Sequence, residues 1–191
     1  RARMKLASEI PGLDLSFHAA ADWNDPAALQ RCLDSVAKAD IIVATMLFME
    51  EHAEAVVPAI RARRDSAAAV IGCMSAPDVV KLTRIGSFNM DGSKRGAFDF
   101  LKKLRGKSDK NQTGGAAQLA MLKRVPKILR FIPGPAQDVR AYFLTLQYWL
   151  AGSDGNVVNL VRFLVNRYAS GGHAHLKGKL KADPPIDYPE V

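Results

Sequence analysis

The run from Ile41 to Phe48 constrains the fold of this chain more than any other segment. It is a continuous apolar stretch, rich in β-branched residues and interrupted only by Thr45. A strand that lacks polar alternation is covered on both faces, as the strands of parallel sheets are. The sequence therefore predicts a buried parallel strand here, with helices packed on the faces of the sheet.

Two further strands are expected in the same half of the chain. Leu13–His18 alternates apolar and polar residues, as a half-buried strand does, and residues 68–74 form a second apolar stretch. Strands that alternate with helices over short connections predict an open α/β fold, a parallel sheet in Rossmann-like layers. Because such sheets normally have more strands, we expect that a first strand precedes Arg1 and that the chain is a fragment of a longer polypeptide.

Capping residues and proline mark the first two helices. Asn24 or Asp25 can cap a helix that ends near Lys38, because short polar side chains accept hydrogen bonds from free N–H groups. A second helix is expected over Glu50–Arg64, with acidic residues in its first turn and basic residues in its last. Pro58 lies inside it and predicts a kink or a local break.

A third helix, capped by Ser75 and stopped by Gly86, completes the α/β part. We assign residues 1–87 to an α/β domain. Residues 88–115 form a basic, glycine-rich region in which we expect a short amphipathic helix and a polar mobile loop. Residues 116–191 form a mainly α-helical segment.

Apolar residues at helical spacing define that last segment. One helix ends at Pro133-Gly134-Pro135, and a second extends from Gln137 to Leu150. A third begins after the turn and cap at Gly152–Asp154 and ends before Gly171. These signals predict helices that pack through one apolar face each.

The positive charge is confined to one part of the chain. Between Lys94 and Arg130 there are eleven Lys and Arg and two Asp, a net +9, which leaves sixteen basic and seventeen acidic residues elsewhere. A patch of this kind suits an acidic protein partner or an anionic membrane surface. Because few aromatic residues accompany it, nucleic-acid binding is not expected. The candidate contact residues are Lys102, Lys103, Lys107 and Lys110, and a solvated, flexible face is the alternative.

The sequence lacks the motifs of several kinds of binding and catalytic site. There is no phosphate-binding loop and no Gly-x-Gly-x-x-Gly after a strand, so the chain is not expected to bind ATP or NAD. Cys32 and Cys73 are interpreted as buried free thiols, because a structural zinc site needs closely spaced pairs. His173 and His175 are interpreted as a solvated pair, so no metal site and no catalytic residue is predicted.

The residues after the central strand are the main candidates for a ligand site. Met49, Glu51 and His52 follow its carboxyl end, which is where ligands bind in open α/β sheets. For His52, a half-exposed helix position without function is the competing interpretation. The clusters Met46–Met49 and Tyr148-Trp149 could stack on a flat apolar ligand, but core packing is the favoured interpretation of both.

Four blocks of sequence resemble one protein family. Phe131–Ser153 is similar to the signature near the amino end of the large, porphyrin-binding H subunit of magnesium chelatase. Ala44–His52, Cys73–Ala76 with Lys81–Arg84, and Tyr188–Val191 resemble further blocks of the same region, in the same order. The Ala- and Arg-rich composition is most similar to the bacteriochlorophyll branch of that family.

The resemblance implies a function that the residues alone do not. Members of this family bind protoporphyrin IX and insert Mg²⁺ into it, with ATP hydrolysed on the separate motor subunits I and D. The resemblance implies a cytoplasmic protein that can contact a membrane peripherally, with those subunits and the downstream methyltransferase as partners. It leaves two roles for this part of the chain: forming or gating the porphyrin site through Met49, Glu51 and His52, or serving as a docking module.

Overall fold

The computed structural model describes residues 1–91 and 124–186, and these form helices and strands. In chain order the elements are α1 (Ala2–Glu9), α2 (Pro26–Lys38), β1 (Ile41–Thr45), α3 (Glu50–Arg63), β2 (Ala69–Cys73), α4 (Pro77–Val80), β3 (Arg84–Ile85), β4 (Phe88–Asn89), α5 (Ala136–Ala151) and α6 (Asp154–Tyr168). Residues 124–129 are also helical, and 3-10 turns cover Ala20–Asp22 and Gly171–Leu176. The predicted mobile loop, the short amphipathic helix before it and the four candidate lysines lie outside the described residues.

The sheet confirms the α/β class and the parallel pairing of the two apolar strands. Its order is β1-β2-β3-β4, and β1 pairs in parallel with β2, from Ile41 opposite Ala69 to Thr45 opposite Cys73. The expectation that the sheet is parallel throughout is wrong, since β3 and β4 are antiparallel to their neighbours. The two short strands form a hairpin whose turn has Gly86 in the left-handed conformation, at a φ of 56°.

The predicted third helix is one turn long, because Thr83 holds the next residues against β2. The Thr83 hydroxyl donates to the Gly72 carbonyl at 3.0 Å and accepts from the Gly72 N–H at 2.9 Å. This buried double contact leaves room only for the helical turn α4 before the chain returns as β3. Ser75 therefore does not cap a helix, and Gly86 occupies a hairpin rather than a helix end.

Leu13–His18 is not a strand, although its alternation predicts one. Leu13 and Leu15 pack with α1 and α6, away from the sheet, and the Phe17 side chain is 57% exposed. Within the described residues β1 pairs with β2 alone and is a sheet edge. Since the alternation only requires one covered face, an extended segment across the helices satisfies it as well as a strand does.

Of two predictions about helices α2 and α3, one is confirmed and the other is wrong. The Asp25 carboxylate accepts from the Ala27 N–H at 2.9 Å and caps α2, as predicted. The predicted break at Pro58 does not occur, and α3 continues through it to Arg63. Val56 and Ile60, on either side of Pro58, are both buried, so tertiary packing holds this helix together despite the missing hydrogen bond.

The core has one apolar layer on each face of the sheet. Alternate residues of β2 point to opposite sides: Ile71 packs against α5 and α6, and Val70 packs against α2 and α3. Cys73 and Cys32 are buried free thiols on these two sides, as predicted. Burial raises the pKa of the Cys73 thiol to about 11. Helices α5 and α6 thus supply the second covering layer of the sheet.

The predicted helices of the last segment are confirmed as α5 and α6. Gly152 ends α5 in the left-handed conformation, and the Ser153 hydroxyl accepts from the Asn156 N–H at 3.2 Å to cap α6. Among residues 1–91 and 124–186, none of the helices combines the length and apolar character that crossing a bilayer requires.

Candidate functional site

The carboxyl edge of the parallel pair carries an unusual backbone. Each strand is followed by a methionine in the left-handed conformation, Met46 with a φ of 61° and Met74 with a φ of 47°. The Met46 N–H donates to the Met74 carbonyl at 2.9 Å, so the two residues lie side by side. A side chain in this conformation costs about 1–2 kcal/mol, and such strain concentrates at functional sites.

Hydrogen bonds between the two strand ends hold this strained backbone. The Ser75 hydroxyl accepts from the Leu47 N–H at 3.1 Å and donates to the Cys73 carbonyl at 3.0 Å. The Ala76 N–H donates to the Leu47 carbonyl at 2.7 Å. Ser75, which the sequence assigned to a helix cap, therefore fixes the shape of the edge.

The edge exposes apolar side chains. Met46, Phe48 and Met49 are 51%, 62% and 55% exposed, whereas Leu47 is 8% exposed. The expectation that Met46–Met49 packs in the core is wrong for all except Leu47. The left-handed turn at Met46 is the reason, because it interrupts the alternation of the strand and leaves only Leu47 pointing inward.

His52 and Glu51 lie beside these side chains, in the first turn of α3. His52 is half-buried, and its ring meets the Trp23 ring edge to face at 5.7 Å between centroids. Glu51 is exposed. The structure thus places the three predicted residues, Met49, Glu51 and His52, within one helical turn. We refer to these three together with Met46 and Phe48 as the methionine edge.

The second candidate for stacking, Tyr148-Trp149, lies in the core as expected. Tyr148 is 2% exposed and its ring lies 6.2 Å from the ring of Phe163, while Trp149 packs partly buried against the same cluster. Burial raises the pKa of the Tyr148 hydroxyl to about 12, and this hydroxyl donates to the Asp183 carbonyl at 2.5 Å. The Tyr148 side chain is therefore not available to a ligand in this arrangement.

Asp138, which the sequence analysis did not single out, connects three parts of the fold. Its carboxylate accepts from the Ser87 N–H and hydroxyl at 3.0 and 2.9 Å, from Tyr168 at 3.0 Å and from Arg167 at 3.2 Å. Burial tends to raise its pKa, but these hydrogen bonds outweigh burial and hold the pKa below its usual range. The β3–β4 turn, α5 and α6 therefore meet at one carboxylate.

Other polar side chains of the block that carries the resemblance also bond internally. Gln137 donates to the Leu129 and Ile132 carbonyls at 2.6 and 2.5 Å, and Arg140 donates to the Pro126 carbonyl at 3.1 Å. These contacts close the turn before α5. The block serves the packing of α5 on the rest of the fold.

The histidines of the last 3-10 turn, His173 and His175, are both exposed. His173 Nδ1 lies 3.2 Å from the Asp40 carboxylate, at the start of β1. Within the part of the chain that the structure describes, no three His, Cys, Asp or Glu side chains are grouped so as to hold a metal ion.

The described end of the basic region combines charge with apolar exposure. Arg124, Lys127 and Arg130 are exposed, and between and after them Ile128 and Phe131 are 50% and 83% exposed. We call these five residues the basic tip. Such a surface can contact an anionic partner through its charges and bury its apolar side chains at the same time.

Comparison with known proteins places the chain in a family. Residues 1–143, which include both strands of the parallel pair and the methionine edge, match the model described as a domain of unknown function, DUF3479. The chain belongs to the DUF3479 family. The match covers the whole α/β part of the fold and extends into α5.

Individual relatives match nearly the whole chain. The magnesium-chelatase H subunit from Cereibacter sphaeroides is 45% identical over 98% of the chain, and the same subunit from Rhodobacter capsulatus is 44% identical over 100%. The chloroplastic magnesium-chelatase subunit ChlH of Oryza sativa subsp. indica is 34% identical over 81%. The resemblance to the magnesium chelatase H subunit is thereby confirmed. The chain spans 16% of the length of each bacterial relative and 11% of the plant one.

Proposed function

We propose that this chain is part of the porphyrin-binding subunit of a magnesium chelatase, and that its methionine edge faces the porphyrin substrate. The relatives support the first statement, since two of them carry the name of this subunit at 45% and 44% identity. The exposure of Met46, Phe48 and Met49 on a strained strand edge supports the second. In the whole enzyme, Mg²⁺ and protoporphyrin IX are the substrates, and ATP is hydrolysed on the motor subunits.

The side chains of the edge suit different parts of such a substrate. Thioether and phenyl groups pack on a flat aromatic macrocycle, and methionine adapts its shape to its partner. The exposed Glu51 carboxylate offers the oxygen ligand that Mg²⁺ prefers. His52 can exchange a proton of the kind that a porphyrin nitrogen releases when a metal enters.

Trp23 provides a local test of porphyrin contact, because it touches His52 while Trp149 lies in the other core layer. In a Trp149→Phe chain, protoporphyrin IX is expected to quench Trp23 fluorescence and to shift its own Soret band. Replacing Phe48 and Met49 with alanine is expected to raise Kd at least about tenfold, since each buried apolar side chain contributes about 1.5 kcal/mol or more.

The control is Met4→Ala, which removes a 79% exposed methionine from α1. It should leave porphyrin binding unchanged. Absence of quenching and of a Soret shift in the parent chain would contradict the proposal. Equal Kd values for the double variant and the control would contradict it as well, since binding would then lie elsewhere.

The basic tip favours a second candidate function, a docking module without a catalytic role. Its partners would be the motor subunits I and D, the downstream methyltransferase or an anionic membrane surface. The exposed Arg124, Lys127 and Arg130 continue the basic region that holds Lys102, Lys103, Lys107 and Lys110. Apolar Ile128 and Phe131 would add contacts that do not weaken with salt.

Changing the four lysines of the basic region to glutamine tests this candidate. Binding to vesicles of anionic lipid at low salt is expected to fall at least about tenfold, because each basic side chain near such a surface contributes about 1 kcal/mol. The matched control changes four exposed lysines from other parts of the chain, Lys5, Lys38, Lys177 and Lys179. Equal losses in both variants would indicate a net-charge effect and contradict a defined docking surface.

A further inference from the structure

The residues that follow the last 3-10 turn are held on α6 by asparagine side chains. The Asn166 side-chain carbonyl accepts from the Leu180 N–H at 2.9 Å, and that of Asn159 accepts from the Asp183 N–H at 3.2 Å. Asn156 accepts from the Ile186 N–H at 3.0 Å and donates to the carbonyl of the same residue at 2.9 Å. Leu180 to Ile186 therefore extends along the helix. We call it the strap.

The contacts recur at regular positions on both the helix and the strap. At about 100° per residue, positions 159 and 166 lie within about 80° of position 156, so the three amides share one face of α6. On the strap, the contacts recur at every third residue. Three residues per turn is the repeat of a polyproline II helix, and Pro184 and Pro185 favour that conformation.

The asparagines recognise the main chain of the strap and not its side chains. Each contact ends on a backbone N–H or carbonyl, and the Tyr148 hydroxyl adds one to the Asp183 carbonyl. Residues 180–186 include no buried position, and the Ile186 side chain is 66% exposed. Leu180 packs partly buried against the apolar cluster of α1 and α6, but from Lys181 to Ile186 apolar burial contributes little.

Neighbouring groups on the helix itself orient two of the amides. Asn156 donates to the Ser153 hydroxyl at 2.9 Å, and the Asn159 side-chain carbonyl also accepts from Arg162 at 3.1 Å. Arg162 is held in turn by Glu9 of α1, at 2.6 Å. Because these bonds do not involve the strap, the amides keep their orientation when it leaves.

We propose that the asparagine face of α6 is a preformed receptor for a polyproline II segment, and that residues 180–186 are a detachable strap seated on it. Each hydrogen bond contributes only modestly to the seating, since water replaces the partner on release. Opening the strap therefore requires much less free energy than global unfolding does. This seating does not depend on the proposed porphyrin contact.

Hydrogen exchange of single amides tests the strap. In Asn159→Ala, the Asp183 and Ile186 amides are expected to exchange at least about tenfold faster, as the loss of about 1.4 kcal/mol implies. The Val70 and Ile71 amides in β2 should keep their rates. Asn166→Ala, which affects the contact to Leu180, gives a second reading if the first variant does not fold.

Changes on the strap itself separate main-chain recognition from ordinary packing. Asp183→Asn should leave the exchange rates unchanged, because only the backbone of this residue is bound. Changing Pro184 and Pro185 to alanine should speed exchange, because the unbound segment gains conformational freedom. Unchanged rates in both asparagine variants would overturn the proposal. Faster exchange in Asp183→Asn equal to that in Asn159→Ala would also overturn it.

Discussion

Replacing Asp138 with alanine is expected to lower the free energy of unfolding by about 3 kcal/mol. The variant leaves the Arg167 and Tyr168 donors and the Ser87 N–H without their acceptor, in a place where the Asp138 side chain is only 14% exposed. Removing one partner of such a charged, hydrogen-bonded group costs about 3–5 kcal/mol when it is buried. We take the lower end, because Ser87 is exposed and water can replace part of the loss.

Thermal and urea unfolding measure this effect. A loss of about 3 kcal/mol corresponds to a Tm lower by about 6–12 °C in a chain of this size. The control is Asp78→Ala, which breaks the exposed ion pair with Lys81 and should cost less than about 0.5 kcal/mol. Similar losses in both variants would show that Asp138 does not join the three elements as its contacts indicate.

The same carboxylate gives the stability a defined pH dependence. Its folded-state pKa lies below the ordinary value of 3.8, so its contribution is present above that value and is lost as the pH falls through the folded-state pKa. The difference in unfolding free energy between the parent chain and Asp138→Ala should therefore be constant near neutral pH and shrink below 3.8. A difference that grows on acidification would contradict a lowered pKa.

Sequence patterns identified the parts of the fold that depend on local signals. The apolar stretch after Asp40 became β1, the one before Met74 became β2, and they pair in parallel as their apolar character predicts. The cap at Asp25 and the helices around Gly152 also follow from neighbours in sequence. The cap and the helix ends depend only on residues a few positions away.

The predictions fail where contacts with residues far away in the sequence determine the local structure. Thr83 shortens α4 through contacts to Gly72, eleven residues earlier, and so converts a predicted helix into the start of a hairpin. Asp138 binds Ser87, which lies 51 residues away, and no periodicity marks such a pair. The three asparagines of α6 are a signal in the sequence, because asparagine is disfavoured inside helices, but the signal does not reveal which groups their amides bind.

The position of the candidate site follows from the topology of the sheet. The exposure of its side chains depends on the backbone conformation after each strand. The rule that ligands bind at the carboxyl ends of parallel strands predicts a ligand site at Met49, Glu51 and His52, and the structure places these residues within one helical turn. The exposure of Met46 and Phe48 depends on the left-handed residue that follows each strand. The sequence does not predict this conformation, because both residues are methionine, which rarely adopts it. For this reason Met46, Phe48 and Met49, which the sequence assigns to the core, are exposed.

Gly72→Ala is expected to lower the free energy of unfolding by about 3 kcal/mol, although its backbone is ordinary for a strand. A methyl group at this position would lie 2.2 Å from the Val79 carbonyl oxygen and 2.7 Å from its carbon, so the backbone of α4 must move. Thr83 binds both the N–H and the carbonyl of Gly72, which prevents β2 from moving away instead. Overpacking of this kind costs about 1–3 kcal/mol, and a backbone neighbour places it at the upper end.

Urea unfolding of Gly72→Ala and Gly172→Ala separates this collision from the general effect of adding a methyl group. Gly172 has no atom within 4 Å of the added group, so its variant should stay within about 0.5 kcal/mol of the parent chain. A loss of less than about 1 kcal/mol at Gly72 would mean that α4 shifts without cost and does not pack closely on β2. The full loss would instead show that close contact between α4 and β2 requires glycine here, because only Met74, Ser75 and Ala76 connect the two elements.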